Sequence, residues 1–154
     1  MEALKKHKIT HLSASNINTF ITSPAEWVMN YIYKLPYSSS AAAERGKYIE
    51  KALFHILGNG ESVDKVIEEQ SYFFAETCKE MKVPEEEYLK EKEFVQRAIK
   101  VLPEHLSKFG KIVGYQKKIG YNYKGIDIIG YTDFDFELPD GSPLVLDLKT
   151  QKKL

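Results

Sequence analysis

Cysteine is almost missing from this chain: Cys78 stands alone among 154 residues. A disulfide within the chain is therefore excluded, as is any cysteine cluster able to hold zinc or iron–sulfur. Excess charge is missing too, since 22 Lys and Arg balance 22 Asp and Glu. That balance argues against binding to nucleic acid by bulk charge alone. It leaves room for a local basic surface, because lysines cluster at Lys5, Lys6 and Lys8, at Lys117 and Lys118, and at Lys149, Lys152 and Lys153, whereas acids dominate between Glu61 and Glu93. No apolar run is long enough to cross a bilayer. The opening "MEALKKHKITHL" has no apolar stretch of the signal-peptide kind. With one cysteine and no such segment, the expected location is the cytoplasm, with no membrane partner. Histidine is scarce: His7, His11, His55 and His105 show no metal-binding spacing and are read as non-ligands.

What is present is enough chain for one domain with a core, and an order of helices first and strands second. "SASNINTF" offers Ser13 or Ser15 as the N-cap of a short helix. "SPAEWVMNYIY" predicts a clearer helix, with Ser23 as N-cap, Pro24 in the first position and Glu26 completing a capping box, ending before Pro36. "SSSAAA" reads as a loop running into a helix over Ala42 to Leu57, stopped by "GNG". A further helix runs from near Ser62 to Met81. The next, with the acids Glu85 to Glu87 at its start, carries a break or kink at Pro103. After Gly110, β-branched and aromatic residues take over. "NYKG" reads as a hairpin turn and "PDGSP" as a second turn. The expected fold class is α+β, a helical N-terminal half on an antiparallel or mixed three-strand sheet.

Three places hold candidate chemistry. In "PLVLDLKT", Asp147 and Lys149 fall on one strand face with Val145, while Leu144, Leu146 and Leu148 point the other way. An acid and an ammonium so placed are either a salt bridge or a site. In the preceding strand Asp127, Ile129, Tyr131, Asp133 and Asp135 share a face, and pairing with the last strand puts Asp133 beside Asp147. Two such carboxylates repel unless a cation lies between them, and hard divalent metals take carboxylate oxygens. Asp135 reads instead as a solvated acid. On the helix after Ala42, Glu50 interrupts a stripe of Ala43, Gly46, Leu53 and Leu57. It is either a buried carboxylate with a partner or an edge residue paired with Lys47 or Lys51. Gly46 lets that helix approach the sheet. Phe20, Trp27, Tyr31 and Phe54 read as core rather than as DNA-stacking residues.

A helix with G-x-x-x-E (Gly46 to Glu50), a strand with G-x-x-D (Gly130 to Asp133) and a strand with D-x-K (Asp147-Leu148-Lys149), in that order, resemble the PD-(D/E)xK nuclease superfamily. "SASNINTFITSPAEWVMNYI" is similar to the S-x-S-x-[IL]-x-x-[FY]…P-x-x-[WY] opening of its RecB-type and phage exonuclease branch. The resemblance implies a restriction-endonuclease-like core and metal-dependent hydrolysis of DNA phosphodiesters. Asp133 and Asp147 would hold Mg²⁺ or Mn²⁺, with a backbone ligand from Leu148 and Glu50 as a further ligand. Lys149 would act on the attacking water or on transition-state charge.

Many RecB-type relatives carry histidine where Glu50 stands. Others carry a cysteine at the position of Ser23 and bind an iron–sulfur cluster, which this chain is not expected to do. The family's D-x-K strand is also followed by a helix and a further strand, whereas "TQKKL" follows Lys149 here. The expectation is one domain over 1–154 lacking those elements, with an oligomer or partner chain covering the last strand's edge. The functional expectation is a DNA exonuclease in recombination, repair or phage genome metabolism. The alternatives are a structure-selective endonuclease, a non-catalytic nucleic-acid-binding module, and a structural domain with chance motifs.

Overall fold

The computed structural model describes residues 6–35 and 39–150. Lys5, Lys152, Lys153 and the helix stop at Pro36 lie outside them. The chain is α+β, with a four-stranded mixed sheet, and its contacts divide into two compact units, 1–38 with 116–132 and 39–115 with 133–154.

In the first unit a two-residue strand, β1 (His11–Leu12), precedes α1 (Ala14–Thr22). Nothing in two residues could announce that strand by alternation. Ser13 rather than Ser15 caps α1, its hydroxyl accepting from the Asn16 N–H at 3.1 Å; Ser15 bonds to the Ser13 hydroxyl. The expected long second helix is short: α2 (Pro24–Trp27) passes into a π-helix over Val28–Ile32. Ser23 precedes it but makes no side-chain cap; its backbone N–H closes α1 on the Thr19 carbonyl. Buried Asn16 ties the two helices together by accepting from Trp27 Nε1 at 2.7 Å. β1 pairs in parallel with the start of β3 (Ile126–Glu137), His11 opposite Asp127 and Leu12 opposite Ile128.

β3 also neighbours β2 (Lys111–Tyr123). Lys124 and Gly125 join them with φ of 50° and 80°. Both central residues are left-handed, as a type I′ turn requires, and Asn122 Oδ1 accepts from the Gly125 N–H at 3.0 Å.

The second unit holds all of the buried apolar core found among the described residues: Ile49, Leu53, Val66, Phe74, Val95, Ile99, Phe134 and Phe136 are its largest members. Three helices supply most of it: α3 (Ala41–Leu57), α4 (Val63–Glu80) and α5 (Glu85–Leu106). Ser40 caps α3 and Ser62 caps α4 through their hydroxyls. α5 does not break at Pro103. That proline is buried and lies only three residues from the helix end, so one lost hydrogen bond is outweighed by packing. The buried stripe of α3 is Ala41, Arg45, Ile49, Ala52 and Leu53. It is rotated from the expected one: Ala43 is exposed and Glu50 is half-buried at its border. β4 (Pro143–Leu146) pairs antiparallel with β3, Phe134 opposite Leu146 and Asp135 opposite Val145. Leu144, Leu146 and Leu148 pack on the core, as their alternation requires.

Candidate active site

Continuing the β3–β4 register by one residue places Asp147 opposite Asp133. The strand pairing itself stops at Leu146, and a side chain takes over: Asp133 Oδ2 accepts the Leu148 N–H at 2.6 Å. A carboxylate thus replaces the next rung of the ladder and fixes the D-x-K segment against β3. Asp147 and Lys149 form an ion pair at 2.7 Å, with side chains 64% and 70% exposed. Lys149 is pushed above its ordinary pKa, first by its hydrogen bond to Asp147 and then by the charges of Asp147, Asp133 and Glu50, against the opposing effect of burial. All three anticipated carboxylates therefore act on one ammonium.

Glu50 is half-buried, between two lysines with contacts elsewhere. Lys47 bonds Glu44 at 2.7 Å, and Lys51 lies over the Phe73 ring. The Tyr115 phenol is pushed up to about 12, first by burial, then by the charges of Glu50 and Asp133 and by a hydrogen bond to Glu50. Tyr115 is held in place by Phe54, stacked at 4.3 Å and 9°, and by Phe134 at 5.5 Å. It belongs to the group around Glu50 and Asp133 as a neutral donor. Sequence reading did not single it out, because the alternation of β2 breaks there: Gly114 and Tyr115 are both half-buried, and Gln116 has φ of 49°. An irregularity of this bulge type re-aims a side chain. Asp135 is not a solvated acid: it is half-buried, and a Cβ on Gly114 would fall 2.6 Å from its Oδ2.

The D-x-K segment has a second anchor, also missed. Buried Arg45 on α3 donates through Nη1 to Glu91 Oε2 on α5 and through Nη2 to the Thr150 carbonyl. Its guanidinium lies 4.5 Å from the centre of the Phe94 ring. One residue on, Gly46 comes so near Thr150 that a Cβ would sit 3.0 Å from the threonine Oγ1. The close approach expected of Gly46 is thus to the residue that follows Lys149. The signal for Arg45 was available, an arginine between Ala41 and Ile49 at helical spacing. Beside Lys149, a groove of about 310 Å³ is lined by Phe94, Arg97, Val101, Leu148 and Thr150.

Carboxylate oxygens are the donors that hard divalent cations take, so the residue types fit such a metal. Among the described residues, however, no group of three or more His, Cys, Asp or Glu is placed to hold one. Asp133 accepts from Leu148 and Asp147 pairs with Lys149, while the charges of Glu50 and Asp133 both act on the Tyr115 phenol.

A mixed sheet flanked by helices, with a G-x-x-D strand meeting a D-x-K segment beside a glutamate helix, is the build of a restriction-endonuclease-like nuclease core. The model of the PD-(D/E)XK nuclease superfamily matches residues 11–154, and the chain belongs to that superfamily. No curated protein and no solved structure matches it significantly. Among the described residues, no helix is long and apolar enough to cross a membrane.

Proposed function

We propose that this nuclease is a metal-dependent deoxyribonuclease of the RecB-type and phage exonuclease branch, acting at DNA ends in recombination, repair or phage genome metabolism. The observation that carries the reading is the tie between Asp133 and Leu148, which brings the two strand motifs together at the point where Asp147 and Lys149 leave the sheet. In this reading Asp133, Asp147 and the Leu148 carbonyl hold Mg²⁺ or Mn²⁺, and Glu50 contributes a further oxygen. A bound divalent ion supplies charge to polarise the phosphate and lowers the pKa of its water. Lys149, released from Asp147, orients the attacking water and meets the negative charge that grows on the phosphoryl oxygens. Arg97 faces the phosphate from the groove it lines with Lys149. Tyr115 stays protonated at any working pH and keeps Glu50 oriented.

The test is cleavage of linear and closed-circular DNA with Mg²⁺, Mn²⁺ or a chelator. Degradation of linear DNA that the chelator stops is expected. Rapid nicking of a supercoiled circle would favour the structure-selective endonuclease alternative. Titration calorimetry with Mn²⁺ separates the roles: Glu50→Ala weakens binding, whereas Lys149→Ala lowers turnover with binding kept. Equal loss of metal affinity in both variants would contradict these assignments.

A further inference from the structure

The neutral net charge of the chain conceals an uneven distribution. In the unit formed by 1–38 and 116–132, six described lysines face two acids, Glu26 and Asp127. That unit contributes no hydrophobic residue to the buried core found among the described residues. It exposes aromatic rings instead: Phe20, expected in the core, is 53% exposed, and Tyr121 and Tyr123 on β2 are 68% and 50% exposed. A surplus of positive charge together with bare aromatic rings is the pairing that single-stranded nucleic acid requires, with rings for the bases and ammonium groups for the phosphates.

The local geometry is specific. Tyr121 and Tyr123 lie two residues apart on one face of β2. Ile119 marks that face, lying against Gly130 at 3.4 Å from where its Cβ would be. Two strand residues span about 7 Å, so the two rings rise side by side from one face of the strand. Tyr123 also walls an apolar groove of about 380 Å³ with Phe20, Trp27, Ile126 and Ile128, into which a neighbouring base fits by its π-face. Lys117 ends the same face of the strand. Lys124 at the turn lies 5.3 Å from the Tyr123 ring centre.

We infer that this hairpin face binds single-stranded DNA, stacking bases on Tyr121 and Tyr123 and neutralising phosphates with Lys117 and Lys124. The inference deepens the proposed function and rests on it for the identity of the polymer as DNA. It names the form of substrate, an unpaired strand, because bases inside a duplex offer no free faces to the tyrosines.

The experiment is fluorescence anisotropy of a labelled oligothymidylate with the intact chain in chelator, where binding is read without cleavage. Stacking worth about 1–3 kcal/mol per base corresponds to a loss of roughly 5- to 150-fold in affinity for Tyr121→Ala or Tyr123→Ala. Tyr121→Phe and Tyr123→Phe keep the affinity. Log affinity falls with log salt at a slope of about −1.4 for two phosphates on a single strand, and each lysine-to-alanine change removes about 0.7 of it. Unchanged affinity in both alanine variants overturns the inference, even where the chain degrades DNA. Binding through the tyrosines with no cleavage in any metal supports the inference while sinking the nuclease mechanism. If Tyr121→Ala instead lowers the mass of the chain in solution and leaves oligonucleotide affinity alone, the face is a protein interface and the inference fails.

Discussion

Asp133 accepts the backbone N–H of Leu148 through Oδ2 at 2.6 Å, so one carboxylate has both a structural and a proposed chemical duty. The two are separable. Asp133→Asn keeps an acceptor oxygen and loses the charge; Asp133→Ala loses both. The asparagine variant is expected to hold stability near that of the parent, and the alanine variant to lose about 1–3 kcal/mol, the range for a partly buried donor left unsatisfied. Both are expected to lose cleavage. Denaturant titration beside a nuclease assay reads each effect, and wild-type cleavage by either variant would remove Asp133 from the site.

Tyr115 is pushed up to about 12, chiefly by burial and then by the charges of Glu50 and Asp133. An unfolded tyrosine ionises near pH 10. The folded pKa is the higher one, so the contribution to stability is complete below about pH 10 and is lost as pH rises through 12. Absorbance titration at alkaline pH should show one delayed phenol that Tyr115→Phe removes, and this variant should flatten the alkaline loss of stability. A parent protein with no delayed phenol would contradict the burial of Tyr115 beside Glu50 and Asp133.

The pair of Arg45 and Glu91 is buried, and breaking a buried pair from one side leaves an uncompensated charge at a cost of about 3–5 kcal/mol. Arg45→Met alone is expected to be severely destabilising. The double variant Arg45→Met with Glu91→Leu should recover most of that stability, because two apolar chains replace two charges. It should not recover cleavage, since the Thr150 carbonyl has lost its donor. Recovery of both would show that the anchor on Thr150 has no part in activity.

How far the fold was legible follows the reach of each signal. Helix caps act within a turn, so Ser13, Ser40 and Ser62 cap the helices whose starts they mark. The strand motifs were legible because alternation and the turn at Lys124 and Gly125 set the register locally. Tyr115 was hidden by one left-handed residue, Gln116, which shifts side chains out of simple alternation. Glu91 was hidden in an acid-rich helix, where only the arrival of Arg45 from another helix distinguishes it from its solvated neighbours. Phe20 was misplaced because composition cannot say which aromatic residues a small unit leaves outside.

The grip of Arg45 on the Thr150 carbonyl closes a span of 105 residues. Contacts of such separation form late, after the local helices have repaid their own chain entropy. Assembly of the functional centre should therefore be a slow and separable event in the life of this chain. Helical signal would return first on refolding and cleavage afterwards, and at low denaturant cleavage would fail while the helices persist. Hydrogen exchange at the Leu148 amide follows that final event directly. Exchange as slow there as at Ile99, in the core of α5, would show that the site and the helices fold as one.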